Sequence, residues 1–313
     1  MKITLIGTGL MADCHARALK RISGIELAGV LGRNKTRAEL FSHQHEIKFV
    51  ADSVEDLYTK TKAKGVVVAV SETSTVTVLR EALKYPWLIF VEKPVGLFVS
   101  QARNLDEQAR KLRRTIYVAL NRRNYPSVLK ARQILDEQAV GQRLIQVIDQ
   151  EDTQQVVASG ADSDVLKNWR LVNSIHLIDT LNYLARGEVI DVQNTTKIGD
   201  ENLRFTHSII NYDSGDVALY TSIWNGAGPW SLSVNFSDKR IELRPLEQIT
   251  QQIFPSRAQK LVGLKVEHSD IKAGFFEQAR EFHSAINGCQ PRLATLSDYI
   301  NSATLVDRLY DYS

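Results

Sequence analysis

The sequence predicts an α/β chain: an N-terminal Rossmann domain with a doubly wound parallel sheet, then an α+β domain on a largely antiparallel open sheet. Three observations lead there. Short, nearly continuous apolar runs alternate with helical patterns through the first 120 residues, as a parallel sheet covered on both faces requires. The first run passes into Gly7-Thr8-Gly9-Leu10-Met11-Ala12. After Asn121 the runs lengthen and are separated by tight-turn residues, the pattern of antiparallel hairpins. A length of 313 residues suits two domains, expected at 1–120 and 121–313.

In the first domain the predicted strands are 2–6, 25–31, 65–70, 87–91 and 115–120, with helices beginning near Leu10, Lys35, Thr75 and Ser100. In the second, a helix over 125–138 leads into strands 143–150, 189–197, 203–212, 217–224, 230–236 and 240–246. Asp213-Ser214-Gly215 and Ser237-Asp238-Lys239 supply the turns. Two further helices are expected over 171–185 and 275–286, the second stopped by Gly288 and Pro291.

Composition narrows the function classes. Lys and Arg total 39 against 36 Asp and Glu, with 24% charged and 43% hydrophobic residues, so neither intrinsic disorder nor a basic nucleic-acid surface is indicated. Cys14 and Cys289 are the two cysteines, too few for a disulfide framework or a zinc ribbon. A reducing, cytoplasmic setting is expected. The apolar stretch after Lys2 is broken by Gly7 and Gly9 and followed by Asp13 and His15, unlike a signal peptide, and no run approaches a membrane span. His43 and His45 lie two apart in a predicted helix, so their side chains diverge and no metal site is expected.

A strand, then G-x-G-x-x-(G/A), then a helix is the order that binds a dinucleotide. Gly7 permits the tight turn, Gly9 lets the backbone approach a pyrophosphate, and Ala12 allows close packing. The helix N-terminus offers unpaired N–H groups to the phosphates. The cofactor contacts are therefore assigned to Gly7, Thr8, Gly9, Leu10 and Met11. The second strand ends in Gly32-Arg33-Asn34-Lys35, without the carboxylate that would bond the ribose 2′-OH of NAD. A basic side chain stands there instead, so NADP(H) is favoured over NAD(H), with Arg33 on the 2′-phosphate and Asn34 or Lys35 assisting.

The strand at 87–91 ends in Glu92-Lys93-Pro94, at the carboxyl edge where open α/β sheets bind ligands. Desolvation beside a nicotinamide would lower the Lys93 pKa and suit it to proton exchange with a hydroxyl or carbonyl. From spacing alone, a surface lysine is the commoner reading.

The opening glycine motif with His15 and Ala16, Glu92-Lys93-Pro94, the segment from Asn121-Arg122-Arg123 to Pro126, and Ile175-His176-Leu177-Ile178-Asp179 together resemble the Gfo/Idh/MocA family. These are the relatives of glucose-fructose oxidoreductase and inositol dehydrogenase. The match continues to the helix beginning Phe275-Phe276-Glu277. The resemblance implies a Rossmann domain followed by a domain for substrate binding and oligomerisation, whose sheet builds a homodimer or homotetramer. It implies hydride transfer between nicotinamide and a carbinol or carbonyl carbon of a sugar, cyclitol or nucleotide-sugar. In it Lys93 is the acid/base, the Lys93-Pro94 bond is often cis, and His176 faces the substrate. Ser71, Glu92 and Lys93 complete the expected cofactor contacts. Asn173 shares a helix face with His176, while Asp179 lies farther round and buttresses the helix. Arg123, Tyr125, Trp169 and Arg170 are further candidate substrate contacts, with a structural role equally open for each.

Three positions depart from the family pattern. Many catalytic members carry Asp four residues before the histidine, where this chain has Val172. A Pro-Asn…His element usual after the 65–70 strand is replaced by Ser71-Glu72, with Thr75 at the histidine position. The glycine-rich stretch before the histidine helix is replaced by residues 166–171. A valine neither relays a proton nor orients His176, so two readings stand: an NADP-preferring oxidoreductase, or a dinucleotide-binding sensor or scaffold without turnover.

Overall fold

The computed structural model describes residues 1–137, 141–158, 160, 162–195 and 205–310. The ends of three predicted elements, at 138, 196–197 and 203–204, lie outside the described residues. The chain divides into two compact units, Met1–Asn124 with Glu267–Ile300, and Tyr125–Val266 with Asn301–Ser313. The segment 267–300 thus packs with the first unit rather than following a single cut near residue 120.

In the first unit β1 (Lys2–Ile6), β2 (Glu26–Leu31), β3 (Val50–Ala51), β4 (Gly65–Val68), β5 (Leu88–Val91) and β6 (Ile116–Val118) form a parallel sheet in the order 3-2-1-4-5-6. Helices Leu10–Lys20, Lys35–His45, Val54–Thr61, Thr75–Ala82 and Val99–Lys111 follow the first five strands. This is the Rossmann order, and it reverses between β1 and β4, where the first glycine turn emerges. Ala294–Thr295 adds an antiparallel edge against β6. β3 and the helix after it were not expected: two residues are too few to register as an apolar run. Ser53 caps that helix by accepting from the Asp56 amide at 3.0 Å, a cap-and-carboxylate signal readable in the sequence.

Packing explains why 267–300 joins this unit. Phe275 and Phe282 of helix Phe275–Ile286 are fully buried with Ala12, Ala16 and Phe90, and Phe90 stacks on Phe282 at 5.2 Å. Each phenylalanine contributes about 1.5–3 kcal/mol by burial.

In the second unit β7 (Arg143–Glu151), β8 (Val189–Asn194), β9 (Phe205–Tyr212), β10 (Val217–Trp224), β11 (Ser231–Phe236), β12 (Lys239–Leu243), β13 (Thr250–Ile253) and β14 (Lys260–Leu261) form one sheet. Its order is 14-13-12-11-7-10-9-8. Among the described residues every pairing is antiparallel except β7 with β10. Alternate residues of β7, among them Ile145, Val147, Asp149 and Glu151, are buried on one face. Residues Arg170–Ser174 make a π-turn that opens into helix Ile175–Leu184. The helix Leu296–Leu309 was not anticipated; it contributes residues to both units.

Candidate active site

The carboxyl edge of the first unit's sheet gathers most of the residues the sequence singled out. Gly7 has φ 119°, and a Cβ there would stand 1.9 Å from the Ala69 carbonyl oxygen, so the position admits only glycine. Gly9 differs: its φ is −89°, and a Cβ would meet nothing within 4 Å. Space is therefore open above its backbone, where a pyrophosphate would approach the N-terminus of helix Leu10–Lys20. No side chain caps that terminus, so its first N–H groups remain available to an anion. Ala12 is fully buried, as the motif's third small position requires. Leu10 is exposed and Met11 half-buried, and Thr8 packs against Gly32, where a Cβ would collide with it.

Beyond β2 the three polar residues of the loop divide. Asn34 caps helix Lys35–His45, its Oδ1 accepting from the Arg37 amide at 2.9 Å. Lys35 pairs with Asp52 at 2.8 Å. Arg33 is exposed and makes no ion pair or side-chain hydrogen bond among the described residues, which leaves it as the loop's available cation. Asp52, brought beside the loop from the end of β3, is a carboxylate that the spacing did not reveal.

The β5 loop is anchored from below. Glu92 is buried and its Oε1 accepts from His15 Nε2 at 2.8 Å, while the His15 ring rests against Phe90 and Phe275 at 5.3 and 4.7 Å. Glu92 is thereby engaged inward, fixing the loop that carries the next residue. The role of His15 went unrecognised in the sequence, although it stands on the first helix one turn after the glycine motif. The Lys93–Pro94 bond is cis, the geometry the resemblance implies. Lys93 is half-buried, and burial pushes its ammonium pKa down. Arg122 and Lys272 push the same way, while Glu92 and Glu72 oppose. Ser71, after β4, is exposed and shares a hydrogen bond with Ser74 at 2.9 Å.

At the end of β6 the short turn Asn121–Asn124 is tied down by side chains. Asn121 Nδ2 donates to the Ala273 carbonyl at 3.3 Å, and Asn124 Nδ2 to that of Arg292 at 3.3 Å. Arg123 is buried and lies 3.6 Å from Asp298, an arrangement that stabilises the turn. His45, one of the histidine pair, is buried and bonded to Asp13 at 2.9 Å.

The second unit holds the remaining candidates. His176 and Tyr125 are buried, and Asp179 accepts from Ser302 Oγ at 2.7 Å, the buttress the sequence suggested. Trp169 and Asn173 do not stand open: Trp169 Nε1 and Asn173 Nδ2 both donate to Glu151 Oε2, at 2.7 and 2.8 Å. Ser174 Oγ donates to Glu151 Oε1 at 2.9 Å. Glu151 thus holds the whole π-turn ahead of His176. Arg170 lies over the Tyr310 ring at 4.6 Å and the Trp224 ring at 5.7 Å. Two residues along β7, Asp149 accepts from Tyr220 Oη at 2.6 Å, and Tyr220 meets Tyr310 Oη at 2.9 Å. Asp149 and Glu151 share one buried face at period two, a signal present in the sequence but masked by the run's apolar character.

Burial pushes both carboxyls up, Asp149 most strongly, with the Glu151 charge adding to its rise. A raised folded-state pKa means the native state holds the proton more tightly than the unfolded chain. That stability is complete below the unfolded carboxylate range and is lost as pH rises through the folded value. Melting temperature should therefore fall as pH rises above the ordinary carboxylate range, and Asp149→Asn should flatten the fall. Equal slopes for the two proteins would refute the assignment.

Residues 1–120 match the family model described as "Oxidoreductase family, NAD-binding Rossmann fold". Over these residues the chain is similar to the Gfo/Idh/MocA oxidoreductases. The matched span includes both the β1 glycine turn and the Glu92-Lys93-Pro94 loop. Over 194 residues the chain is 22% identical to the uncharacterized oxidoreductase YrbE of Bacillus subtilis strain 168, covering 60% of this chain and 54% of that protein. The chain thus spans about half the length of the curated relatives it matches. Among solved structures, the UDP-N-acetylglucosamine 3-dehydrogenase GnnA of Acidithiobacillus ferrooxidans superposes with TM-score 0.81 at 18% identity, covering 99% of this chain and 97% of that one. An Agrobacterium radiobacter oxidoreductase in complex with NAD+, L-tartaric acid and magnesium gives 0.79 at 15%, covering 99% and 95%. At these identities the two structures speak for the fold alone.

Proposed function

We propose that this chain is an oxidoreductase that uses a nicotinamide dinucleotide, NADP(H) in preference to NAD(H), to interconvert a carbinol and a carbonyl carbon. The substrate class is a sugar, cyclitol or nucleotide-sugar. The observation that carries this reading is the half-buried Lys93 with its lowered pKa, on a loop locked by Glu92 and His15, at the same sheet edge as the glycine turn. The open space over Gly9, the uncapped helix N-terminus and the available Arg33 fit a dinucleotide. When bound, the nicotinamide supplies the hydride acceptor or donor. Lys93, deprotonated more readily because it is desolvated, takes the substrate hydroxyl proton in oxidation and returns it in reduction. His176 holds the substrate oxygen.

Arg33 decides the choice of dinucleotide. One charge-assisted contact to a 2′-phosphate should favour NADPH over NADH by about 10- to 100-fold, and Arg33→Ala should erase the difference. Fluorescence titrations with both dinucleotides measure this, and tighter NADH binding would overturn it.

In this reading the protein is cytoplasmic and forms a homodimer or homotetramer. The outer face of the second unit's sheet, with Leu144, Ile148, Leu219 and Ile223 half-buried, supports that assembly. One observation favours a second function: Val172, where many members carry Asp, is a buried apolar residue. A dinucleotide-binding sensor or scaffold without turnover would keep the NADPH site and show no redox reaction.

A further inference from the structure

The amino edge of the same parallel sheet carries chemistry that hydride transfer does not use. A cavity of about 460 Å³ opens there on the segments that lead into β4, β5 and β6. Lys62, Lys64, Arg113, Arg114 and Thr115 line it together with Trp87. No carboxylate lines it, and among the described residues none of the four cations makes an ion pair. Glu55 and Glu81 act on Tyr85, and Glu81 is held by Lys84 at 2.7 Å.

Three features set this cluster apart from a solvated basic rim. Trp87 is 2% exposed, and its Nε1–H and the Arg114 Nε–H are buried without an acceptor among the described residues, which adds positive potential to the wall and calls for an explanation. Lys62 and Arg113 occupy left-handed backbone, φ 50° and 53°, just past helices Val54–Thr61 and Val99–Lys111, where glycine is the usual choice. Cations also gather at helix C-termini to offset the macrodipole, but each terminus balances only about half a charge. Two termini therefore account for about one of the four charges.

We propose that this cavity binds a small phosphate-bearing polyanion. The adjacent guanidinium groups of Arg113 and Arg114 suit a terminal phosphate, which arginine grips bidentately, and Lys62 and Lys64 supply the flanking charge. Four cations around one concavity fit a compact ligand better than the extended stripe a nucleic acid follows. The site lies at the opposite ends of the strands from Gly7 and Lys93, so binding here does not compete with a dinucleotide.

The test is a pyrophosphate titration of the intact protein at constant ionic strength, read by the indole N–H resonances of its four tryptophans, with Trp87→Phe identifying the relevant signal. The Trp87 resonance should move saturably. Its apparent affinity should fall about tenfold in Lys62→Gln and in Arg114→Gln, one charge-assisted contact each, and remain unchanged in Arg33→Ala. Lys62 is exposed, so that variant keeps the test valid should Arg114→Gln fail to fold. A stationary Trp87 signal, an equal response to chloride, or affinity unaltered in Lys62→Gln would each overturn the proposal. So would a response to a single-stranded oligonucleotide without one to pyrophosphate.

Discussion

Lys93→Ala is expected to lower turnover by about 10²- to 10⁴-fold, the contribution of a positioned acid–base group, while NADPH binding stays nearly unchanged. The separation of effects follows from the loop's construction. Glu92 and His15 hold the loop from beneath, so removing the Lys93 side chain leaves the loop and the glycine turn in place. Burial disfavours the charged ammonium, which brings the base form within reach of a lower pH than an exposed lysine allows. Lys93→Arg should not rescue turnover, because a guanidinium keeps its proton throughout the accessible range. Steady-state rates beside NADPH titrations check this, and undiminished turnover in Lys93→Ala would remove the residue from the proton-transfer role.

Gly7→Ala and Gly9→Ala are expected to fail in different ways. At Gly7 the new methyl group would meet the Ala69 carbonyl oxygen at 1.9 Å and its carbon at 2.6 Å. Both are backbone atoms of the segment leaving β4, in a backbone region that side chains rarely adopt. Strain and overpacking together should cost about 3 kcal/mol or more, enough to unseat the first unit and its dinucleotide site. At Gly9 the methyl group meets nothing and φ is ordinary, so denaturant melts should match those of the parent protein. NADPH affinity should nevertheless fall, because the methyl group fills the space that a pyrophosphate needs. Undiminished NADPH binding by Gly9→Ala would show that the phosphates do not lie over this turn.

The contrast between the glycines also marks what could be read from the sequence. Both were assigned from spacing alone, and so was the doubly wound order, because parallel strands buried on two faces leave continuous apolar runs. Helix Phe275–Ile286 was legible from its periodicity and its Gly288 and Pro291 stop. Its membership of the first unit was not, since Phe275 and Phe282 meet Phe90 across nearly two hundred residues of intervening chain. A separation of 77 residues hid the partner of Glu92. The sequence shows a carboxylate next to Lys93 but not the His15 that bonds it. Trp169 and Asn173, expected at the substrate, both bond Glu151. The sequence shows the donors and the acceptor but not that β7 and the π-turn meet. Arg33 is exposed at the end of β2, and the sequence did not show that its neighbour Lys35 pairs with Asp52.

The most direct measurement is the nicotinamide absorbance of the protein with NADPH or NADP+ across a panel of sugars, inositols and nucleotide-sugars and their keto forms, run beside Lys93→Ala. A substrate-dependent absorbance change in at least one class, lost in Lys93→Ala, is the predicted result. Saturable NADPH binding with no absorbance change anywhere in the panel would contradict hydride transfer and leave a dinucleotide-binding protein without turnover.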